Sequence, residues 1–315
     1  MSAPRVLFLM GATATGKTEL ALEIASRFPS EIISVDSAQI YRGMDIGTAK
    51  PDAQSLASVP HHLIDIIDPA SHYSAWNFVR QSRQLAGEIG ARGKIPVFAG
   101  GTMLYFHAFE DGLNCLPEAD DGLRQRLELE ARELGWEALH TRLAQVDPDS
   151  AARIKPTDSQ RIQRALEVCE LAGESLSALQ QRDATRHAGA IEKIILAADD
   201  RAALHRRIER RFLQMLEDGF IDEVAGLKSR PELGPELPSM RCVGYRQIWQ
   251  FLDGEFDRET MIGKAVAATR QLAKRQITWL RRQGGERAFD CLNYRKDDIF
   301  RLVESAFSGL RLERF

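Results

Sequence analysis

Apolar positions over the first hundred residues switch repeatedly between two spacings. Short continuous runs at 6–10, 31–35, 62–66 and 95–99 read as buried strands. Between them the spacing is helical: Leu20, Ile24 and Phe28 share a face at the first helix, 19–27, and 75–91 reads as a longer one. Strands alternating with helices predict a parallel sheet covered on both faces, with its ligand site beyond the carboxyl ends of the strands. The texture changes after residue 114. From 120 to 181 there is no strand candidate; Leu123, Leu127, Ala131 and Leu134 recur at helical spacing, as do Ile162, Leu166 and Cys169, with Asp147-Pro148 between the two sets. Strand character returns at Ile191-Glu192-Lys193-Ile194-Ile195-Leu196. The expectation is an α/β fold: a core of 1–114 and 191–315, with an all-helical domain, 115–190, inserted into it.

Two long helices are expected to follow. Leu204, Ile208, Phe212 and Met215 mark the first, which stops near Gly219. The second runs over 258–282 with Ile262, Val266, Thr269, Ala273 and Leu280 inward, and Gly284-Gly285 supplies its stop. Composition changes this picture little. A chain of 315 residues with 44% hydrophobic and 28% charged positions fits a globular protein of more than one structural unit. No apolar run approaches a membrane span, and the N-terminal run is used as a strand with no cleavage signature, so a cytoplasmic protein is expected. Cys115, Cys169, Cys242 and Cys291 are far apart, which argues against zinc and against a disulfide framework. There is no internal repeat. Charge does add something. The net value of −3 hides a stretch with Lys264, Arg270, Lys274, Arg275, Arg281, Arg282 and Arg287 against the single acid Glu286. Arg270, Lys274 and Arg281 share a helix face, so a polyanion docked on one side is expected.

The first strand runs straight into Gly11-Ala12-Thr13-Ala14-Thr15-Gly16-Lys17-Thr18, the pattern G-x-x-x-x-G-K-T. Small residues let successive backbone N–H groups curl around an anion, and the following helix N-terminus adds partial positive charge. Lys17 reaches terminal phosphates and the Thr18 hydroxyl can hold Mg²⁺. A P-loop NTPase-like core follows from this, but not the identity of the phosphate ligand.

Other segments carry chemistry less decisively. Asp36 ends the second strand, where a carboxylate holds Mg²⁺ through water, acts as a base, or caps a helix. Gly100-Gly101-Thr102 follows the fourth strand; its threonine suits capping and ligand contact equally. Arg207 and Arg211 lie four apart at the edge of an apolar stripe, where half-buried guanidinium groups bind a diphosphate or are simply solvated. In Arg241-Cys242-Val243-Gly244-Tyr245-Arg246 two arginines bracket an aromatic, an arrangement suited to RNA or to a core tyrosine.

Taken together, GATATGKT (11–18), DSAQIYRGMDIGTAKP (36–51), GGTMLY (100–105), QRIQRALEV (160–168), RIERRFLQM (207–215) and RCVGYRQ (241–247) resemble the tRNA dimethylallyltransferases, in the compact bacterial form. These segments stand in order over most of the chain. The resemblance implies transfer of a dimethylallyl group from dimethylallyl diphosphate to the exocyclic amine of the adenine immediately 3′ of the anticodon. The tRNAs concerned read codons beginning with U, and pyrophosphate leaves. Gly11 to Thr18 with Arg207 would then hold the donor's diphosphate and Thr18 the Mg²⁺. Asp36 would be the general base, Arg211 would stabilise the leaving group and Thr102 would position the amine. The tRNA anticodon stem-loop would be gripped by Asp36, Ser37, Ala38, Gln39 and Thr102, with Gln39 on the adenine edge. Further contacts would come from Arg124; from Gln160, Arg161, Ile162, Gln163 and Arg164; from Arg241 to Arg246; and from Lys274, Arg275 and Arg281. A monomer is expected. The main rival is a P-loop kinase for a nucleoside or small metabolite, which leaves DSAQIYRGMDIGTAKP and the basic helix without a role. Prenyl transfer to free adenosine phosphates and an RNA-binding module with a degenerate nucleotide site are further alternatives. The basic stripe speaks against the former, and intact Lys17, Thr18, Asp36 and Arg211 against the latter.

Overall fold

The computed structural model describes residues 3–114, 116–117, 119–181, 185–283 and 288–308. The chain divides into two compact units, Met1–Glu110 with His187–Phe315, and Asp111–Arg186. The first is built on a six-stranded, all-parallel sheet. Its strands are β1 (Val6–Gly11), β2 (Ser30–Val35), β3 (His61–His62), β4 (Ile95–Gly100), β5 (Ile191–Ala197) and β6 (Ala288–Asp290). Their spatial order is β3-β2-β4-β1-β5-β6. β1 is buried at every position, which is why it reads as an unbroken apolar run. Register is what builds the site. Met10 of β1 and Val35 of β2 both pair with Gly100 of β4, so the loops leaving these three strands start side by side.

Ahead of the second unit the sheet is flanked by α1 (Lys17–Arg27), α2 (Ala53–Ser58), α3 (Ala75–Ala91) and α4 (Met103–Asp111). The strand expected at 62–66 is cut to two residues. Leu63 and Asp65 take left-handed backbone angles, φ 62° and 54°, which no ladder accommodates. Tyr41 and Ile67 keep only an isolated parallel bridge.

The second unit holds α5 (Asp121–Leu134), α6 (Trp136–Val146), α7 (Pro148–Arg153), α8 (Ser159–Ala172) and α9 (Leu176–Gln181). Leu123, Leu127, Leu139, Leu143, Ile162 and Leu166 form its core, whereas Leu134 is exposed. Asp120 and Asp147 accept backbone N–H groups at the starts of α5 and α7, and Pro148 occupies the first turn of α7.

After β5 come α10 (Arg201–Glu217), α11 (Phe220–Lys228), α12 (Tyr245–Leu252), α13 (Arg258–Leu280) and α14 (Lys296–Phe307). Leu204, Ile208, Phe212 and Leu216 of α10 pack with Met261, Ala265 and Ala273 of α13 in one core cluster. α13 turns its faces differently from the expectation. Met261, Ala265, Val266, Ala273, Gln276 and Leu280 are buried, while Ile262 and Thr269 lie at the boundary. It ends at Leu280 in a single 3₁₀ turn, Arg281–Gln283; Gly284-Gly285 and Arg287 lie outside the described residues. β6 and α14 were not expected from the sequence. Ile299, Phe300, Val303 and Phe307 of α14 share a core cluster with Leu20 and Ile24 of α1.

Candidate active site

Between β1 and α1 the backbone curls through left-handed angles at Ala14 and Gly16, φ 64° and 88°. Gly16 adopts its angle without the Cβ clash that a side chain would bring. The Thr15 hydroxyl donates to the Ala12 carbonyl at 2.9 Å and tightens the turn. Lys17 folds back over the loop, its Nζ donating to the same carbonyl at 2.6 Å. Burial lowers the Lys17 pKa to about 8; Asp36 opposes that shift and Arg211 adds to it. Burial likewise pushes Arg211 down, with Asp36 opposing and Arg207 adding. These charges therefore sense one another across one small volume. Thr18 is exposed in the first turn of α1.

Asp36 leaves β2 with its Oδ1 accepting the Ala38 N–H at 2.8 Å. The Gly101 and Thr102 N–H groups both donate to the Val35 carbonyl, at 3.2 and 3.0 Å. The Thr102 hydroxyl accepts the Ser37 N–H at 3.0 Å and lies 3.3 Å from the Ser37 hydroxyl. Its side chain thus reaches across to the Asp36 turn. Lys17, Asp36, Thr102 and Arg211 line one cavity of about 540 Å³, whose wall includes Leu104, Ile208, Phe212, Leu272 and Trp279. A second, of about 1090 Å³, shares Lys17, Thr18 and Arg211 and adds Gly16, Arg207 and Arg210. The two meet at the P-loop, so the cationic groups can be approached from either side. The arrangement offers an anion cradle, a carboxylate and an apolar wall within one site.

The remaining predicted residues divide. Arg241 and Arg246 are exposed, and Cys242, Val243 and Gly244 line the cavity. Tyr245 is fully buried and T-stacked on Phe220, so the base-stacking reading of this aromatic fails; it is the core tyrosine. Its hydroxyl donates to Glu223 at 2.5 Å, and Glu223 also accepts the N–H groups of Asp45, Ile46 and Gly47 at 3.0, 2.7 and 3.2 Å. Burial pushes the Cys242 thiol up to about 12, with Asp36 adding, so it stays protonated. The Gln39 amide is already engaged, accepting from the Ser34 hydroxyl at 2.9 Å and donating to the Thr48 and Ala49 carbonyls at 3.4 and 3.3 Å. Contact with an adenine edge would have to displace those bonds. Lys274, Arg275 and Arg281 are exposed and Arg275 also lines the cavity, but Arg270 is paired with Glu209 at 2.8 Å.

In the helical unit Gln160 and Arg161 are exposed, with Arg161 bridged to Asp158 at 2.5 Å. Ile162 is completely buried and has no side-chain surface to offer a ligand, which corrects its inclusion among the contact residues. Arg124 and Arg164 clamp the buried Glu167 carboxylate at 2.9 and 2.6 Å, so much of their charge is already matched. Gln163 donates to the Arg124 carbonyl at 3.1 Å. Sequence reasoning missed Gln276, Glu223 and the Leu104–Trp279 wall. Gln276 was findable: it stands three residues after Ala273 and four before Leu280, a polar residue at an inward position.

Comparison with known proteins settles the family. A family model described as IPP transferase matches residues 39–283, and one described as isopentenyl transferase matches 4–65. A tRNA dimethylallyltransferase of Alkalilimnicola ehrlichii is 59% identical over 97% of this chain and 96% of its own length. That of Bordetella pertussis is 55% identical over 98% and 99%. The chain belongs to the tRNA dimethylallyltransferase family. Among solved structures, the full-length tRNA isopentenylpyrophosphate transferase of Bacillus halodurans superposes with a TM-score of 0.71 at 35% identity, covering 98% of each chain. A eukaryotic dimethylallyltransferase crystallised while acting on tRNA gives a TM-score of 0.81 at 23% identity, over 99% of this chain and 81% of its own, which speaks to fold alone. These matches leave the kinase reading without support. In this chain the P-loop cations and the Asp36 carboxylate line one cavity.

Proposed function

We propose that the chain transfers a dimethylallyl group from dimethylallyl diphosphate to the exocyclic amine of the adenine immediately 3′ of the anticodon, in tRNAs reading codons that begin with U. The carrying observation is that Asp36 and Thr102 face the same cavity as Lys17 and Arg211. In the step, the amine nitrogen forms a bond to the allylic carbon as the carbon–oxygen bond breaks. The electron pair leaves with pyrophosphate, and the amine proton passes to Asp36. Lys17, Arg207, Arg211 and the backbone N–H groups of the Gly11 to Thr18 loop, that of Thr13 apart, stabilise the growing charge on the leaving group. Thr102 holds the amine. The adenine must leave its stack, at a cost of a few kcal/mol, to reach this depth.

Mg²⁺ fits at Thr18, an exposed residue in the first turn of α1. Among the described residues no group of three or more His, Cys, Asp or Glu can hold a metal, which suits an ion carried largely by phosphate oxygens. When bound it neutralises diphosphate charge. The exposed Gln160, Arg161, Arg241, Arg246, Lys274, Arg275 and Arg281 are proposed to hold the anticodon stem-loop, and Arg124 and Arg164 to contribute what charge Glu167 leaves. Among the described residues no helix is long and apolar enough to cross a membrane. A monomer acting in the cytoplasm is part of the proposal.

The test offers the purified protein undermodified tRNA with Mg²⁺ and either dimethylallyl diphosphate or ATP, then weighs the nucleosides after digestion. A prenylated adenosine formed only with the diphosphate donor is expected. An unchanged tRNA, with ATP consumed in the presence of a small acceptor, would overturn the proposal.

A further inference from the structure

Gln276 is the polar side chain on the buried face of α13. Its carboxamide joins two loops that are distant in sequence. Oε1 accepts the Thr13 N–H at 2.8 Å and Nε2 donates to the Gly101 carbonyl at 2.9 Å. Thr13 belongs to the diphosphate cradle, and Gly101 immediately precedes Thr102. From Gly101 the hydrogen bonds continue: both it and Thr102 are held on the Val35 carbonyl, and Thr102 holds the Ser37 N–H beside Asp36. One buried side chain therefore links the leaving-group side of the cavity to the acceptor side.

An amide suits this place because it presents an acceptor and a donor on one rigid plane; a carboxylate lacks the donor, and leucine lacks both. The glycine opposite is equally constrained. A Cβ at Gly101 would lie 2.5 Å from Gln276 Nε2 and push the amide out. Gln276 also occupies the Thr13 N–H, so this amide is not spent on phosphate.

We propose that Gln276 is a positioning residue that sets the spacing between the diphosphate cradle and the Asp36–Thr102 pair, an inference that rests on the transfer reaction proposed above. Displacement at carbon requires nucleophile, carbon and leaving oxygen on one axis, and a misplacement of about 1 Å costs roughly 10²-fold. Substrate contacts themselves are unchanged when the spacing slips. The loss therefore falls on kcat and not on KM.

The experiment compares wild type, Gln276→Leu, Gly101→Ala and the double variant in steady-state prenyl transfer to tRNA. Expected for each single variant is a kcat lower by about 30–100-fold, with both KM values within about threefold of wild type. The double variant should be no worse than the poorer single one, since both break the same link. A kcat within threefold of wild type for the single variants, a loss carried by donor KM, or additive losses would each overturn the proposal. If Gln276→Leu fails to fold, Gly101→Ala tests the link from the other side with Gln276 intact. Absence of transfer by the wild type would instead count against the reaction itself.

Discussion

Asp36 and Lys17 make opposite use of a half-enclosed site. Oδ1 of Asp36 is occupied by the Ala38 N–H, a bond that an asparagine side chain preserves while being unable to take a proton. Asp36→Asn is therefore expected to keep tRNA affinity within a few-fold and to lower kcat by about 10² or more, the usual worth of a general base. More than about a tenth of wild-type kcat would remove the base assignment. Lys17 works through its charge. Its pKa in the free protein is lowered to about 8, chiefly by burial, so the ammonium is present below that value and is lost as pH rises through it. Since a diphosphate selects the charged form, donor affinity should be flat below pH 8 and fall above it, by up to roughly tenfold per unit. Titrating an unreactive donor analogue between pH 7 and 9 checks this, and Lys17→Met should bind weakly with the step abolished.

Among the elements, β2 and the loop 42–50 are held by different devices. Glu31 of β2 is buried at the amino end of the sheet, with Arg92, His62 and Lys94 at 2.7, 2.8 and 3.0 Å. Burial alone would raise its pKa, but hydrogen bonds from Arg92, His62 and Lys94 together outweigh burial and hold it near 2. The folded value lies below the ordinary 4.5, so this contribution is complete above pH 4.5 and is lost as pH falls toward 2. Glu31→Gln should cost about 3 kcal/mol in urea unfolding at neutral pH and much less near pH 2. The loop 42–50 depends on a different fit. A Cβ at Gly47 would lie 2.1 Å from the Phe220 ring and 2.5 Å from that of Tyr245, where Glu223 gathers three backbone N–H groups. Gly47→Ala is expected to destabilise by about 1–3 kcal/mol. Because this loop borders the cavity, activity should fall by more than the population of folded protein does, as parallel calorimetry and kinetics would reveal.

For the molecule as a whole, a net charge of −3 coexists with exposed Lys274, Arg275 and Arg281 on one stretch. Docking of RNA there releases counterions, so tRNA affinity should fall linearly in log salt, by roughly 0.7–0.9 per phosphate contact. Lys274→Ala and Arg281→Ala should each flatten that slope by about one contact and leave kcat at saturating tRNA near wild type. A slope unchanged by both would move the docking surface off α13. Arg270 is a poor choice for this series, since Glu209 already matches its charge.

Local sequence carried a large part of this. The alternation of period, the P-loop and the strand-end Asp36 were readable because backbone geometry and burial impose them on consecutive residues. The long helices were likewise legible to within a few residues. What escaped depended on contacts between distant segments. β6 is three residues long and takes its place from pairing with β5, too short to show any period. Tyr245 and Arg124 were ambiguous as residue types, and only Phe220 and Glu167, packed beside them, decide that one is core and the other clamped. Gln276 reaches Thr13 across 263 positions of chain, a distance over which no local pattern carries information. The sequence fixes which chemistry is available where each strand ends; the folded packing fixes which of those groups remain free to use it.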